Sequence, residues 1–184
     1  LPDGPACDRS VSMGNKSTKH VNVLMLGLPN SGKTTLLYRM KLNDVGAKFS
    51  ETQGFNYELI PVHNLRLHVW DLAGKPDLKC FWKFYYDSMR VSVFVFVVRL
   101  QDRENMAEAA KTFQFLANEE SMRASYKLLV CNYDSNQYNP GHSGEYLTPD
   151  ELSTLFRCPK DGKHEKIIFL NAFKGKGLDS LYEA

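Results

Sequence analysis

The chain has 184 residues, a size that suits one domain with a single substantial core. Hydrophobic residues make up 43% and charged residues 24%, a composition that excludes a largely disordered protein. The 23 basic and 21 acidic residues nearly cancel, so the charge gives no sign of nucleic acid as a partner. The four cysteines lie far apart and lack metal-ligand spacing, which argues against disulfides and zinc and favours a reducing, cytoplasmic setting.

Apolar runs typical of strands alternate with stretches of helical periodicity along the chain. Six strands are predicted, over residues 20–27, 54–62, 65–71, 91–98, 126–132 and 165–171. Helices are predicted near 33–41, 80–89, 102–120 and 148–157, and a last one starts near Gly177. The near-continuous apolar strands predict an α/β fold, in which helices cover both faces of a mostly parallel sheet.

Two local patterns refine this outline. The link of His63 and Asn64 is too short for a crossover helix, so the second and third strands should form one antiparallel hairpin. Thr148 and Glu151 have the spacing of a capping box, which predicts the start of the fourth helix at Thr148. Residues 133–147 are polar and rich in Gly, Asn and Ser, so we expect a long surface loop there.

The segment LGLPNSGKTTLL, Leu26–Leu37, has the spacing of a phosphate-binding loop: a glycine, four residues, and then Gly32, Lys33 and Thr34. It follows the first predicted strand and opens the first helix, which is the context that such a loop requires. Its backbone N–H groups surround phosphates, its lysine contacts the β and γ oxygens, and its threonine hydroxyl binds Mg²⁺. The sequence therefore predicts the three-layer fold of a P-loop NTPase. The predicted nucleotide-binding residues of the loop are Gly27, Asn30, Ser31, Gly32, Lys33, Thr34 and Thr35.

Two further segments narrow the class of P-loop protein. TQGFN, Thr52–Asn56, leads into the second strand, and WDLAGK, Trp70–Lys75, leaves the third. An aspartate at a strand end can hold the Mg²⁺ shell, and a glycine three residues later lets its N–H approach a γ-phosphate. Asp71 and Gly74 have that spacing. The alternative is a plain turn, but the position after a strand and downstream of a P-loop favours the nucleotide role.

The P-loop, TQGFN, WDLAGK followed by FWKFYY, and DREN after the fourth strand together resemble the ADP-ribosylation-factor-like branch of the Ras-related small GTPases. The resemblance runs from about Val21 to the end of the chain. It implies a small-GTPase domain over residues 20–184, after a flexible N-terminal leader or tail over residues 1–19. It also implies a monomer that binds GTP or GDP with Mg²⁺.

The resemblance assigns roles to the matching residues. Lys33 contacts phosphate, and Thr34 and Thr52 bind Mg²⁺. Asp71 acts on the metal through water, and Gly74 senses the γ-phosphate.

The TQGFN and WDLAGK segments correspond to the two switches of this family, which order around GTP and relax after hydrolysis. Such a transition exposes or hides a surface for effector proteins, and the family also implies an exchange factor and a GTPase-activating protein as partners. Candidate members of the effector surface are Phe55, Phe81 and Trp82, for each of which a plain core position is the alternative.

One departure from the family pattern concerns hydrolysis. Relatives usually carry a glutamine after the DxxG glycine to orient the attacking water, and this chain has Lys75 after Gly74. A lysine cannot accept a hydrogen bond from that water, so intrinsic hydrolysis should fall below the rate of Ras-type proteins, which is on the order of 10⁻⁴ s⁻¹. Ala73 replaces a further glycine and should stiffen this switch. Arg99 stands where relatives commonly have an acidic residue, a departure with no physical reason at the level of sequence.

The second departure concerns the base. The family binds guanine with an N-K-x-D segment after the fifth strand, and a gap-free count places Asn132–Ser135, NYDS, on it. Asn132 is kept, Tyr133 replaces the lysine, and Asp134 comes one residue early. Losing a charge-assisted contact costs about 1.5–3 kcal/mol, which would weaken guanine choice without abolishing phosphate binding. Alternatively, the following loop lets Asp134 move into register and Tyr133 stack on the base. Ala172 matches part of the family's SAK contact.

The N-terminal segment MGNKST, Met13–Thr18, fits a myristoylation signal with Gly14 as the acceptor. It requires initiation at Met13, so residues 1–12 would be a leader or an upstream extension. Lys16 and Lys19 would add electrostatic attraction to an anionic membrane, which predicts a peripheral location on intracellular membranes. A disordered polar tail is the alternative.

Three functions remain at the level of sequence. The first is a GTP/GDP switch with impaired hydrolysis that recruits effectors in membrane traffic. The second is a pseudo-GTPase docking module with weak or base-unselective nucleotide binding, which Lys75 and NYDS favour. The third, a P-loop kinase of small metabolites, lacks an arginine-rich lid and gives TQGFN and WDLAGK no role. We favour the first.

Overall fold

The computed structural model describes residues 18–42, 52–134, 146–160 and 162–184. Six strands form one sheet in the order β2-β3-β1-β4-β5-β6. The strands are β1 (Lys19–Leu26), β2 (Phe55–Val62), β3 (Leu65–Leu72), β4 (Val93–Arg99), β5 (Tyr126–Asn132) and β6 (Glu165–Leu170). Only the β2–β3 pair of this sheet is antiparallel, and the other neighbours run parallel. The predicted mostly parallel sheet with one hairpin is therefore confirmed.

Helices cover both faces of the sheet. They are α1 (Lys33–Leu42), α2 (Trp82–Ser88), α3 (Met106–Asn118), α4 (Pro149–Phe156) and α5 (Leu178–Tyr182), with 3-10 helices over Pro76–Phe81 and Glu120–Met122. No helix in the described part of the chain is long and apolar enough to cross a membrane.

Two clusters of buried side chains lie on opposite faces because side chains alternate along each strand. In β1, Leu24 and Leu26 belong to the cluster that α2, α3 and α4 cover, whereas Val23 and Met25 belong to the cluster under α1 and α5. Full burial of one such side chain contributes about 1.5–3 kcal/mol, so the strands are fixed from both sides.

The short link between β2 and β3 forms a two-residue turn. Val62 pairs with Leu65 in the antiparallel register, and His63 adopts a left-handed conformation with φ of 50°. The hairpin places Phe55 opposite Leu72 at its other end. It therefore brings the start of TQGFN next to the segment that leaves β3.

Two helix predictions were too long or started at the wrong place. The helix expected near 102–120 spans Met106–Asn118. Turns precede it, in which the Asn105 amide donates to both carboxylate oxygens of Asp102, at 2.9 and 3.1 Å. The helix expected over 80–89 spans Trp82–Ser88, and a 3-10 helix that begins at Pro76 precedes it. The second difference changes which side chains of this segment face the core.

The start of α4 agrees with the predicted capping box. The Glu151 N–H donates to the Thr148 hydroxyl over 3.3 Å, and the Thr148 N–H donates to the Glu151 carboxylate over 2.7 Å. Most of the surface loop expected over 133–147 lies outside the described residues.

Candidate functional site

The loop between β1 and α1 surrounds the side chain of its own lysine. Asn30 and Gly32 have φ of 58° and 93°, so the chain turns sharply before the helix begins. The buried Lys33 ammonium donates to the carbonyl oxygens of Gly27 and Leu28, which lie 3.1 and 2.9 Å from Nζ. The loop thus holds a fixed cation at a helix N-terminus, a combination suited to binding phosphate.

A cluster of oxygen atoms connects this loop with both predicted switches. The Thr34 hydroxyl donates to the Asp71 carboxylate over 2.6 Å, and its oxygen is 2.8 Å from the hydroxyl oxygen of Thr52. The Asn56 amide donates to the same carboxylate oxygen of Asp71 over 3.2 Å. One residue of the P-loop, two near the start of β2 and one from the end of β3 therefore converge.

The Asp71 carboxylate is fully buried, and its Oδ1 has no hydrogen-bond partner among the residues described. Burial raises the pKa of this group, while the hydrogen bond from Thr34, the charge of Lys33 and the hydrogen bond from Asn56 act in the opposite direction. A divalent cation would compensate the buried charge, and hydroxyl and carboxylate oxygens are the ligands that Mg²⁺ prefers. The residues present therefore fit Mg²⁺, which in this place would neutralise phosphate charge.

Gly74 lies directly against the backbone of the P-loop. A Cβ built on it would be 2.4 Å from the Gly27 oxygen, 2.7 Å from the Leu28 carbonyl carbon and 2.8 Å from the Pro29 nitrogen. Any side chain at this position would therefore push the second switch away from the loop.

The peptide group of Ala73, next to this glycine, is bound on both sides. Its N–H donates to the Gly54 carbonyl over 2.8 Å, and its carbonyl accepts from the Trp82 indole over 3.0 Å. Trp82 is buried, with 4% of its surface exposed, so its predicted place on an effector surface is wrong. The 3-10 helix before α2 turns this indole toward the end of β3.

The buried side chain of Asn132 connects the P-loop to the loop after β6. Its amide donates to the Ser31 carbonyl, and its Oδ1 accepts from the Ala172 N–H, both over 3.0 Å. A Cβ on Gly32 would lie 2.2 Å from the same amide nitrogen, so only glycine leaves space for it. The predicted base-site residues Asn132 and Ala172 are thus in direct contact.

Asp134 makes a contact that the sequence did not suggest. Its carboxylate forms an ion pair with the guanidinium of Arg99, at the end of β4. Tyr133 is partly buried and packs against the core cluster under α3. The structure therefore gives Arg99 a partner, and it directs the Asp134 carboxylate toward that arginine.

A cavity of about 260 Å³ brings most of the predicted phosphate and metal residues together, and it is bordered by Pro29, Asn30, Gly32, Lys33, Thr34, Thr35, Thr52, Ala73, Gly74 and Arg99. Lys75 follows Gly74 directly, is partly exposed, and precedes the 3-10 helix. Gly14 and Lys16 lie outside the described residues, and Lys19 is exposed at the start of β1.

An exposed aromatic surface lies beside the switches. Phe55 and Phe81 have 50% and 57% of their surface exposed, as the predicted effector role requires. The ring centroid of Phe55 is 5.8 Å from that of Trp70 and 5.5 Å from that of Tyr85, and Tyr57 is 4.6 Å from Trp70. The alternation of exposed Phe55, Tyr57 and Leu59 along β2 is a period-two signal that could have found this surface.

The model of the ADP-ribosylation factor family matches residues 9–183. The chain belongs to the ADP-ribosylation factor family. It is 33% identical to ADP-ribosylation factor-like protein 1 of Saccharomyces cerevisiae, over 88% of this chain and 84% of that relative. It is 32% identical to ADP-ribosylation factor 1 of Brassica rapa, over 90% of this chain and 84% of the relative.

A solved structure similar to this one is that of the Arl6 BBS3 small GTPase from Trypanosoma brucei with bound nucleotide analogue GppNp. The TM-score is 0.69 at 22% identity, and the match covers 90% of this chain and 94% of that one. This likeness confirms the three-layer P-loop fold. Membership of the ADP-ribosylation factor family makes the chain a small GTPase of the GTP-binding switch class.

Proposed function

We propose that this chain is a GTP/GDP switch with impaired intrinsic hydrolysis, which recruits effector proteins when GTP is bound. The observation that carries the proposal is the contact among Thr34, Thr52 and Asp71, because it connects the P-loop with both switch segments. Thr34 and Thr52 would bind Mg²⁺ directly and Asp71 would act through water. Loss of the γ-phosphate would then weaken the hold on Thr52 and release the first switch.

Impaired hydrolysis follows from the chemistry of Lys75. An ammonium group has three donors and no acceptor, so it cannot take a hydrogen bond from the attacking water. Lys75 directly follows Gly74, which borders the phosphate cavity, and we infer that its ammonium can reach a bound γ-phosphate. Attraction between this charge and the γ-phosphate would stabilise bound GTP without orienting a nucleophile. The protein would therefore remain loaded with GTP until a partner acts on it.

A single-turnover measurement of GTP hydrolysis tests whether Lys75 impairs it. Protein loaded with GTP and Mg²⁺ is followed for phosphate release, and Lys75→Gln is compared with the wild type and with Lys83→Gln. Lys83 is an exposed control because its ion pairs are with Asp87 and Glu119 on the surface of the α2 side. We expect Lys75→Gln to hydrolyse GTP faster and Lys83→Gln to behave as the wild type. Equal rates for all three proteins would contradict impaired hydrolysis through Lys75.

The exposed aromatic surface supports effector recruitment. Phe55 lies at the start of β2, directly after TQGFN, and touches rings from β3 and α2. A change in the first switch would therefore alter the surface that Phe55 and Phe81 present. Proteins of this family generally interact with effectors, exchange factors and GTPase-activating proteins, and we propose partners of these kinds here. A role in membrane traffic, with myristoylated Gly14 as an anchor, is part of the same proposal.

A second candidate function is a docking module that binds nucleotide without choosing guanine. The pairing of Asp134 with Arg99 favours it, because a carboxylate held by arginine is not directed at a base. Equilibrium binding of fluorescent GDP, a GTP analogue and ATP to nucleotide-free protein with Mg²⁺ separates the two. Binding of guanine nucleotides at least a hundredfold tighter than ATP, lost in Lys33→Ala, is expected of the switch. Equal affinities for all three would support the docking module.

A further inference from the structure

The side chain of Arg99 leaves the sheet beside the segment that corresponds to the guanine-binding motif of the family. Arg99 is opposite Asn132 in the parallel register of β4 and β5, and the Leu100 N–H donates to the Asn132 carbonyl over 2.9 Å. A terminal nitrogen of the guanidinium then contacts the carboxylate of Asp134, two residues further along. The register of the sheet itself therefore creates this pair.

The same arginine borders the phosphate cavity. It lines the 260 Å³ cavity together with Lys33, Thr34 and Gly74, and a neighbouring cavity of about 620 Å³ together with Asn30. A guanidinium carries five N–H donors in a planar fork. The Nε of Arg99 is buried and finds no hydrogen-bond partner in the described segments. One nitrogen of the guanidinium thus holds Asp134, and Arg99 borders the cavity in which phosphates would lie.

Tyr133 explains why a cation from β4 is useful here. The family pattern has lysine at this position, which packs along the ring of the base. The Tyr133 backbone N–H donates to the Leu170 carbonyl over 3.0 Å, and the partly buried side chain packs against the core cluster. The positive charge that position 133 lacks is therefore present on the neighbouring strand, in Arg99.

We propose that Arg99 binds the phosphate chain of the nucleotide and that Asp134 is a positioning residue, which orients the guanidinium instead of binding guanine. The proposal rests on the nucleotide-binding function proposed above. Arginine binds phosphate oxygens through two parallel N–H groups, and a carboxylate bound to another nitrogen fixes the orientation of the guanidinium plane.

The first test is equilibrium binding of fluorescent GDP and a GTP analogue to nucleotide-free Arg99→Met in the presence of Mg²⁺. Loss of one charge-assisted contact should weaken both nucleotides by about ten- to a hundredfold. Arg99→Lys keeps the charge without the fork and should recover part of the loss. Arg123→Met is the matched control, because Arg123 is exposed before the start of β5, whereas Arg99 lies at the C-terminal end of the parallel strand β4. Wild-type affinity in a folded Arg99→Met would overturn the proposal.

The second test uses Asp134→Asn and does not depend on how Arg99→Met folds. Guanine offers two N–H donors to a carboxylate, whereas xanthine has a carbonyl oxygen in place of the exocyclic amine. An asparagine that replaces a base-binding aspartate can donate to that oxygen, so the variant would come to prefer xanthosine diphosphate. If Asp134 orients Arg99, binding of guanosine, xanthosine and adenosine diphosphates should weaken by similar factors.

The outcomes distinguish a failure of this inference from a failure of the proposed function. A gain of xanthosine diphosphate over GDP in Asp134→Asn would show that Asp134 binds the base, and the positioning role would be wrong. Wild-type protein that binds no guanine nucleotide at all would overturn the proposed function, and this inference with it. Wild-type protein that binds GDP, with Arg99→Met equally tight, would overturn this inference alone.

Discussion

Gly74→Ala should separate binding of GTP from binding of GDP. The added methyl group would lie 2.4–2.8 Å from three backbone atoms of the P-loop, which no side-chain rotation can relieve. Gly54→Ala is the matched control in the other switch, because a Cβ on Gly54 meets nothing within 4 Å. Both variants change one glycine to alanine, so their difference isolates the contact between the second switch and the P-loop.

The size of the effect follows from the cost of overpacking, which is about 1–3 kcal/mol when neighbouring atoms must shift. The added methyl group destabilises the state in which Gly74 lies on the P-loop by this free energy. This state should therefore become about 5- to 150-fold less populated. In the proposed switch, Gly74 approaches the γ-phosphate, which GDP lacks. Affinity for a GTP analogue should therefore fall by that factor, while affinity for GDP changes far less.

The assay is equilibrium binding of fluorescent GDP and GTP analogue to both variants and the wild type, stripped of nucleotide and supplied with Mg²⁺. Melting curves of the nucleotide-free proteins check that all three are folded. If Gly74→Ala bound the GTP analogue as tightly as Gly54→Ala does, the contact would carry no energetic weight. If Gly74→Ala lost affinity for GDP and for the GTP analogue equally, the clash would act on the P-loop itself. The proposed role of Gly74 in distinguishing GTP from GDP would then be wrong.

Three further predictions concern stability and reactivity. Arg39 donates to carbonyl oxygens of the loop after β6, so Arg39→Met should lower the free energy of unfolding measured by calorimetry by about 1.5–3 kcal/mol. Lys41→Met removes only a surface ion pair and should lower it by at most about 1 kcal/mol. Hydrogen bonds from Thr148 lower the pKa of Glu151, so the stability that this carboxylate adds is present at neutral pH and disappears in acid. The melting temperatures of wild type and Glu151→Gln should therefore converge as the pH falls below the usual range of a glutamate. Exposed Cys80 should react with iodoacetamide in the native protein. Cys131 and Cys158, which are buried in the described part of the chain and whose thiol pKa burial raises, should be alkylated in peptide mass spectra only after unfolding.

The strands, the β2–β3 hairpin and the phosphate-binding loop could be predicted because they depend on local patterns. A short link such as His63-Asn64 leaves only a hairpin, and apolar runs predict strands that are buried on both faces. The P-loop spacing likewise requires only neighbouring residues. Asp71 and Gly74 could be placed because a strand end and a glycine three residues after the aspartate were enough to bring them to the loop.

The sequence could not predict contacts that depend on register or on the phase of a helix. The Arg99–Asp134 pair arises because β4 and β5 align in one particular register, and the two residues are far apart along the chain. Trp82 was a candidate for the effector surface because of the family resemblance, with a core position as the alternative. The 3-10 helix before it shifts the phase of the segment, and the indole turns into the core.

The peptide group of Ala73 couples the movement of the two switches. Through its N–H it is joined to Gly54 in the first switch, and through its carbonyl to Trp82 in the wall of the core. A protein that pulls the first switch away from the nucleotide must break the first of these bonds, and it then loosens the support of the neighbouring Gly74. We therefore expect the two switches to open together, so that nucleotide exchange has one barrier and a single observed rate.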